Sequence, residues 1–433
     1  MKKTMPEKAL LIHSGRVVDP ARRFDGPADV LIEGERIARV GPKLDAPGAE
    51  RFDASGLIVV PGFIDLHCHL REPGNEPAET IETGTRAAAR GGFTAVCCMP
   101  NTQPVNDNAS VTRFILDRAA AVASVRVWPI GAASKGSKGE GLAEIAAMKD
   151  AGIVAVTDDG KPIATAKLLR HVMEYARSLE LAVIEHSEDA SLFAGAVMRE
   201  GPTSVRLGLR GMPAATEAIC VARDVHICAL TGARLHVAHM SAKESLELVR
   251  EAKRRGLPIT CEVTPHHFTL TDEDVVYDSR YKMNPPLASR EDREALLAGL
   301  ADGSVDAIAT DHAPHTQAAK EVEFDRAPFG ITGFETALGL ALEALLHSGR
   351  APLARVVELF TAGPARVLGK KRALAEGEPA DLTLFSAEHR WTFRAEESAS
   401  KSRNTPFDGR SFRGGPMATI VAGRIAWKRE VRS

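Results

Sequence analysis

Short apolar runs broken by turn residues fill the first sixty positions of the chain, and a different rhythm follows. ALLIHSGRVVD, ADVLIEGERIARVG and the run into LIVVPG read as strands, with Gly15, Gly34 and Gly41 marking turns. From Gly62 onward, short β-branched runs alternate with longer stretches rich in Ala, Glu, Leu and Arg. Eight such runs are present: GFIDLH, FTAVCCMP, VRVWPIGAA, IVAVTDDG, LAVIEHSE, RLHVAHMS, PITCEVTPHH and VDAIATDHAPH. Between them, stretches such as 79–91, 165–179 and 243–255 have helix-forming composition and apolar residues at helical spacing. Eight β-α units over about 300 residues favour an α/β fold closed into a (β/α)8 TIM-type barrel. A doubly wound open sheet is the alternative that counting leaves open.

Strand-like patterning returns near the end in ADLTLFS, HRWTFR and MATIVAGRIAWKRE. Both chain ends are therefore expected to form one small β domain, residues 1–60 with 365–433, beside a barrel of residues 61–364. The Gly-, Pro- and Ser-containing stretch 398–416 reads as a surface excursion.

Composition narrows the class. With 433 residues, 44% of them hydrophobic, the chain can bury a large core. Lys plus Arg number 55 and Asp plus Glu 57, a balance that offers no electrostatic reason to expect nucleic acid or an anionic membrane. Cys68, Cys97, Cys98, Cys220, Cys228 and Cys261 form no C-x-x-C pair and mostly sit in apolar runs, as reduced buried thiols do. The N-terminal MKKTMPEKALLIHSG, with Lys2 and Lys3, has an apolar run too short for a secretion signal, and no stretch is long enough for a membrane span. A soluble, cytoplasmic protein is expected.

Polar residues cluster where the runs end. His67 and His69 close the first, and Asn101 follows the second. Asp158 and Asp159 close the fourth, and Glu185 and His186 the fifth. His236 and His239 lie in or after the sixth, His266 and His267 end the seventh, and Asp311, His312 and His315 close the eighth. In a barrel, the C-terminal ends of different strands converge on one mouth. A single histidine at a strand end is usually just hydrogen-bonded, but this many acids and histidines point to a site. Residues two apart on a strand face the same way, so His67-x-His69 can grip one cation while Cys68 packs elsewhere. With Asp159, His186, His239 and Asp311, the set suits Zn²⁺, with Mn²⁺, Co²⁺ or Fe²⁺ as chemical alternatives. Four histidines and two carboxylates exceed one tetrahedral shell and fit two ions per subunit, ~3.5–4 Å apart.

HCHLREPG extends the histidine pair into a motif that resembles the amidohydrolase superfamily, and within it the dihydroorotases of the longer bacterial type. The likeness continues through MPNT, VTDDGKPI, EHSED, HVAHMSAKES, TPHH, KMNPPL, ATDHAPH and PFGITGFET. It implies that His67, His69, Asp159, His186, His239 and Asp311 hold metal, with Asp159 bridging and Asp311 also moving a proton. It implies that Arg71, Asn101 and His315 hold a substrate carboxylate and that Asn284 borders the substrate ring. Many superfamily members bridge their metals with a carboxylated lysine from the fourth strand. Here that strand ends in Asp158-Asp159, as in this bacterial branch, and Lys161 is the reserve candidate.

The implied activity is cyclic-amide hydrolysis, reversibly opening (S)-dihydroorotate to N-carbamoyl-L-aspartate in de novo pyrimidine biosynthesis. An allantoinase- or hydantoinase-like hydrolase is the alternative within the class, and a non-catalytic scaffold subunit the alternative outside it. The resemblance also implies a homo-oligomer and, in some members, a partnership with aspartate transcarbamoylase. The long connection 315–330 is expected to close over substrate.

Overall fold

The computed structural model describes residues 9–193 and 195–430; Lys2, Lys3 and the outermost parts of the 1–60 and 365–433 ranges lie outside the described residues. Eight strands form the centre: β1 (Phe63–Cys68), β2 (Phe93–Cys98), β3 (Arg126–Pro129, continued by Gly131–Ala132), β4 (Ala155–Thr157), β5 (Ala182–Glu185), β6 (Leu235–Val237), β7 (Ile259–Val263) and β8 (Ala307–Ile308). Each pairs in parallel with the next. The ring closes where Cys68 bridges His312 in parallel and His69 N donates to His312 O at 2.8 Å. Helices intervene in order: α1 (Ile81–Arg90), α2 (Ala109–Val122), α3 (Ile145–Ala151), α4 (Ala166–Ser178), α5 (Ala215–Thr231), α6 (Lys243–Arg254), α7 (Arg290–Asp302) and α8 (Ala337–Ala341). The fold is a (β/α)8 barrel.

The strands are apolar throughout because both faces are buried. On β2, Ala95 and Cys97 belong to one apolar cluster, and Phe93, Val96 and Cys98 to another. The helices bury one stripe each: on α4 it is Leu168, Leu169, Val172, Met173 and Ala176. The stretches read as 79–91, 165–179 and 243–255 become α1, α4 and α6, trimmed by a residue or two at their ends. The trimming follows capping chemistry: Thr80 stays extended, and its hydroxyl accepts from Thr83 N at 3.2 Å.

The N-terminal run ALLIHSGRVVD is two strands rather than one. It breaks at Ser14, whose φ is 64°. Leu10–His13 joins a four-stranded sheet with Asp29–Glu33, Arg36–Gly41 and Glu50–Asp53. Arg16–Asp19 joins a six-stranded sheet with Phe24–Pro27, Ile58–Pro61 and the C-terminal strands Leu382–Thr392, Ser411–Val421 and Arg424–Lys428. Ile12, Val30, Ile32, Leu382, Leu384 and Ile420 pack into one core between these sheets.

A buried ion network fastens that sheet to the barrel. Asp381 accepts from Arg126 Nε on β3 at 2.6 Å, from Arg372 at 3.0 Å and from Ala422 N at 2.8 Å. Burial works to raise the Asp381 carboxyl, but the two guanidinium groups hold it below its ordinary value. Its stabilisation is therefore present at neutral pH and is lost as pH falls through the depressed folded value. Asp381→Ala strands two arginines and is expected to cost roughly 3–5 kcal/mol, read as a lower denaturation midpoint at pH 7. A midpoint unchanged within error would remove the network from the stability of the joint.

The stretch 398–416 is not a surface excursion. Ser400, Ser402, Asn404 and Thr405 are buried, and the strand Ser411–Val421 begins within it. Ser402 Oγ donates to Ala78 O at 2.7 Å, and Asn404 Nδ2 donates to Ala313 O and Gly330 O, both at 3.0 Å. Its polar side chains satisfy backbone carbonyls of the barrel instead of water, a choice that composition cannot reveal. The six cysteines are buried and unpaired. Among the described residues no helix is long and apolar enough to cross a membrane.

Candidate active site

A cavity of about 200 Å³ opens at the C-terminal ends of the strands. It is lined by His67, His69, Asp159, His186, His239 and Asp311, and by Arg71, Asn101, Asn284 and His315. The ten side chains that the family resemblance assigns to the site thus meet in one place. His67 and His69 face the same way, as strand alternation requires, while Cys68 Sγ turns to Cys97 O. Arg71, His239 and Asp311 have positive φ values of 60°, 30° and 43°. Such conformations cost about 1–3 kcal/mol each and persist where the surroundings enforce them.

Asp159 sits among all four histidines. Its Oδ1 lies 3.1 Å from His67 Nε2, 3.6 Å from His186 Nδ1 and 3.7 Å from His239 Nε2, and its Oδ2 lies 3.6 Å from His69 Nε2. Among the described residues Asp311 pairs with His69, at 3.1 Å, and His67, at 3.6 Å. Burial pushes the Asp159 carboxyl upward, but the charge of His67 and hydrogen bonds from His186, His239 and His67 hold it well below the usual range. Burial is likewise overcome at Asp311 by His69 and by the charge of His67. Both are ionised at neutral pH.

The donor set fits a divalent cation. Asn101 Nδ2 faces Asp159 Oδ2 at 3.3 Å, which orients the amide so that Asn101 Oδ1 accepts from His69 Nδ1 at 2.9 Å. With a proton on Nδ1 for Asn101, the His69 Nε2 that faces Asp311 Oδ1 at 3.1 Å either donates a second proton to it or, in the form that binds metal, presents a lone pair beside the carboxylate. His67 also has both ring nitrogens buried without an aligned hydrogen bond among the described residues, Nε2 lying 3.1 Å from Asp159 Oδ1; a charged ring answers that carboxylate, and a neutral ring, the form that binds metal, presents a lone pair to it. Buried acceptors left this way are costly, and a cation between them satisfies each one. Ligand atoms of His67, His69 and Asp311 lie within 4.8 Å of one another, and so do those of His67, Asp159 and His239.

Other strand-end residues do different work. Asp158 turns away from Asp159, and its side chain accepts from Ala133 N at 3.0 Å and Ser134 N at 2.9 Å, ordering the loop after β3. Glu185 pairs with Arg223, and His236 with Glu262 and Thr260. His266 and His267 belong to a short helix, Pro265–Thr269, because β7 has already ended at Val263. His312 stacks on Phe334 and contacts Glu79. Lys161 is exposed and lines a neighbouring depression with Gly160 and Glu188, and does not line the histidine cavity.

Two acids escaped the sequence reading. Glu262 Oε1 lies 3.3 Å from His67 Nδ1, and Glu188 Oε2 accepts from Asn284 Nδ2 at 2.7 Å and lies 3.4 Å from His186 Nε2. Glu188, two residues past His186 in EHSED, carried a spacing signal. Glu262, a single acid inside ITCEV, carried only its polarity.

The far side of the cavity is cationic. Phe329 O can only accept, so His315 carries its proton on Nε2 and donates it at 2.7 Å. Burial and the charge of Arg71 push His315 down to about 3, so the ring is neutral. Arg71 Nε is held by Pro314 O at 3.0 Å. Its guanidinium makes no salt bridge among the described residues and faces the cavity.

A family model described as dihydro-orotase-like matches residues 56–245. A protein named dihydroorotase from Solibacter usitatus is 56% identical over 423 residues, covering 97% of this chain and 98% of that one. Another, from Pelotomaculum thermopropionicum, is 52% identical over 425 residues, covering 98% and 99%. Among solved structures, the L-hydantoinase (dihydropyrimidinase) of Arthrobacter aurescens superposes with a TM-score of 0.88 at 25% identity, covering 99% of this chain and 98% of its own. The D-hydantoinase (dihydropyrimidinase) of a Thermus species gives 0.82 at 27% identity, covering 98% and 97%.

Proposed function

The chain belongs to the dihydroorotase family, and from that premise we propose that it hydrolyses (S)-dihydroorotate reversibly to N-carbamoyl-L-aspartate in a metal-dependent reaction. One observation carries the reading: a guanidinium with no counter-ion among the described residues faces the histidine–aspartate cluster across a cavity that suits a small ring. Dihydroorotate brings a carboxylate for Arg71 and a cyclic amide for the cluster.

The cluster of His67, His69, Asp159, His186, His239 and Asp311 would hold two Zn²⁺ ions per subunit, which supply Lewis acidity toward water and the scissile carbonyl. The remaining chemistry belongs to side chains. Arg71 presents a planar fork to the substrate carboxylate, with Asn101 and His315 beside it. The buried Asn284 Oδ1 has no hydrogen-bond partner among the described residues and offers an acceptor to a ring N–H. Asp311, ionised at neutral pH, accepts a proton from the attacking water. It returns that proton to the ring nitrogen as the carbon–nitrogen bond breaks.

On the same reading the reaction serves de novo pyrimidine biosynthesis in the cytoplasm, in a homo-oligomer, with aspartate transcarbamoylase as the candidate partner. Residues 1–60 and 365–433 would form the small β domain and 61–364 the catalytic barrel. The six-stranded sheet drawn from both ends supports that division. The barrel shared with hydantoinases keeps a second reading in view, but a hydantoin without a carboxylate would leave Arg71 unmatched. The scaffold reading is disfavoured by six ligand candidates in one cavity.

Turnover of dihydroorotate, allantoin and a hydantoin, each with and without added Zn²⁺, tests the assignment. Carbamoyl-aspartate formation that exceeds both other rates is expected; preferential turnover of hydantoin would overturn it. Arg71→Met is expected to raise KM for dihydroorotate roughly 10- to 100-fold with unchanged metal content, because a charge-assisted pair is lost while the apolar stem is kept. An unchanged KM would assign Arg71 to holding the Pro314 backbone alone.

A further inference from the structure

Two buried lysines lie behind the cationic wall of the cavity. Lys320 is 6% exposed and Lys282 2% exposed, and neither has a carboxylate within salt-bridge distance among the described residues. Their ammonium groups spend their hydrogens on backbone carbonyls of the segment leading into the pocket. Lys320 Nζ donates to Pro328 O at 2.9 Å, to Gly330 O at 3.0 Å and to Lys282 O at 3.4 Å. Lys282 Nζ donates to Phe324 O at 2.8 Å and Asp325 O at 2.9 Å, and lies 4.6 Å from the centre of the Phe329 ring. Gly330 N returns a bond to Lys282 O at 2.9 Å. Three carbonyls around Lys320 match the three hydrogens of a charged amine, and a neutral amine would leave one unmet.

This arrangement is expensive. An ammonium removed from water without an anion loses solvation that dipoles restore only in part. Burial and the neighbouring Lys282 charge lower Lys320 to about 7, and burial lowers Lys282 to about 8. Packing alone does not call for two such groups, since apolar side chains would fill the same space at less cost. What they hold is specific. Phe329 and Gly330 line the cavity, Phe329 O accepts from His315, and Gly330 O is shared with Asn404. Gly330 itself has φ +123°, and a Cβ there would lie 2.6 Å from Ala313 Cβ and 3.3 Å from His315 Nε2, so the wall has little room to shift. The connection 315–330, expected from the sequence to close over substrate, is tied down here from behind.

We propose that Lys282 and Lys320 are positioning residues that fix the Phe329–Gly330 wall, and through it His315, at the carboxylate end of the substrate pocket. The inference rests on the dihydroorotase reading. Neither ammonium group bonds to the six candidate metal ligands, so the wall should set substrate affinity and leave the metal centre and proton transfer intact.

Lys320→Ala removes a propylammonium-sized group and is tested by steady-state kinetics and metal analysis. KM for dihydroorotate should rise roughly tenfold or more, with kcat and metal content close to the parent values. Added propylammonium should restore KM, and 1-propanol, of the same shape but with one donor and no charge, should not. Lys282→Met should give the same split between KM and kcat, and serves if Lys320→Ala does not fold. A folded variant with parental KM overturns the proposal. So does a joint loss of KM, kcat and metal that propylammonium leaves uncorrected, since that would mark a general structural role. A parent enzyme that leaves dihydroorotate intact would instead overturn the functional reading from which the inference starts.

Discussion

Asp159→Asn is expected to lose at least one metal equivalent and nearly all activity, while Asp158→Asn retains most of both. The two carboxylates are neighbours in sequence but face opposite ways, as consecutive strand-end residues do. Asp159 is within 3.7 Å of nitrogens from His67, His69, His186 and His239, so it alone stands between both histidine pairs. Two cations held close together repel and need an anion between them. An amide keeps the shape of Asp159 and loses the charge. Asp158 accepts from backbone N–H groups of Ala133 and Ser134, and Asn can keep an acceptor there. Its replacement should cost about 1 kcal/mol of stability, the worth of one ordinary hydrogen bond. Metal analysis after desalting and the dihydroorotate assay read both variants. Retention of metal by Asp159→Asn together with its loss in Lys161→Ala would hand the bridge to a carboxylated lysine. So would recovery of a dialysed enzyme on adding bicarbonate. The exposure of Lys161 and its absence from the lining of the histidine cavity speak against that outcome.

Asp311→Asn should fold and keep most of its metal while kcat falls by roughly 10²–10⁴-fold, the usual contribution of a general acid–base group. The substitution isolates proton transfer because Asn tolerates left-handed backbone, and Asp311 has φ 43°. It also leaves an oxygen that can face His69. Unlike Arg71→Met, it should lower kcat at saturating substrate, because the lost function belongs to the chemical step. A near-parental kcat would remove Asp311 from proton transfer.

Much of the site could be read in the chain because strands and barrels impose simple periodicities. The two-residue spacing of His67 and His69 states that both face one way, and the eight runs state that their ends converge. Asn101, Asn284 and His315 were reached through motifs. By contrast, Glu262 gave no positional sign inside ITCEV, yet it faces His67 across the barrel. His236 and His312 had the same sequence credentials as His239 and Asp311 but turn to Glu262 and Phe334. Side-chain direction at a strand end depends on where the extended backbone gives way, and a pattern of residue types locates that point only to within a residue or two.

The sequence by itself pointed to eight strand–helix units, to strands buried on both faces and to histidines and aspartates gathered at their ends, all consequences of local periodicity repeated eight times, while the choice between barrel and open sheet was settled by the closing bridge of Cys68 with His312. Only the tertiary structure decided that Asp158 holds the loop at Ala133 and Ser134, that Asn404 from the far end of the chain supports Gly330, and that Lys282 and Lys320 brace the pocket wall. Asn404 and Gly330 are 74 positions apart and Lys282 and Phe324 are 42, and the turn that separates Asp158 from Asp159 is a matter of local backbone rotation. Such relations carry no period along the chain. They exist because buried polar groups must find partners, and which partners are within reach is settled only when the barrel has closed.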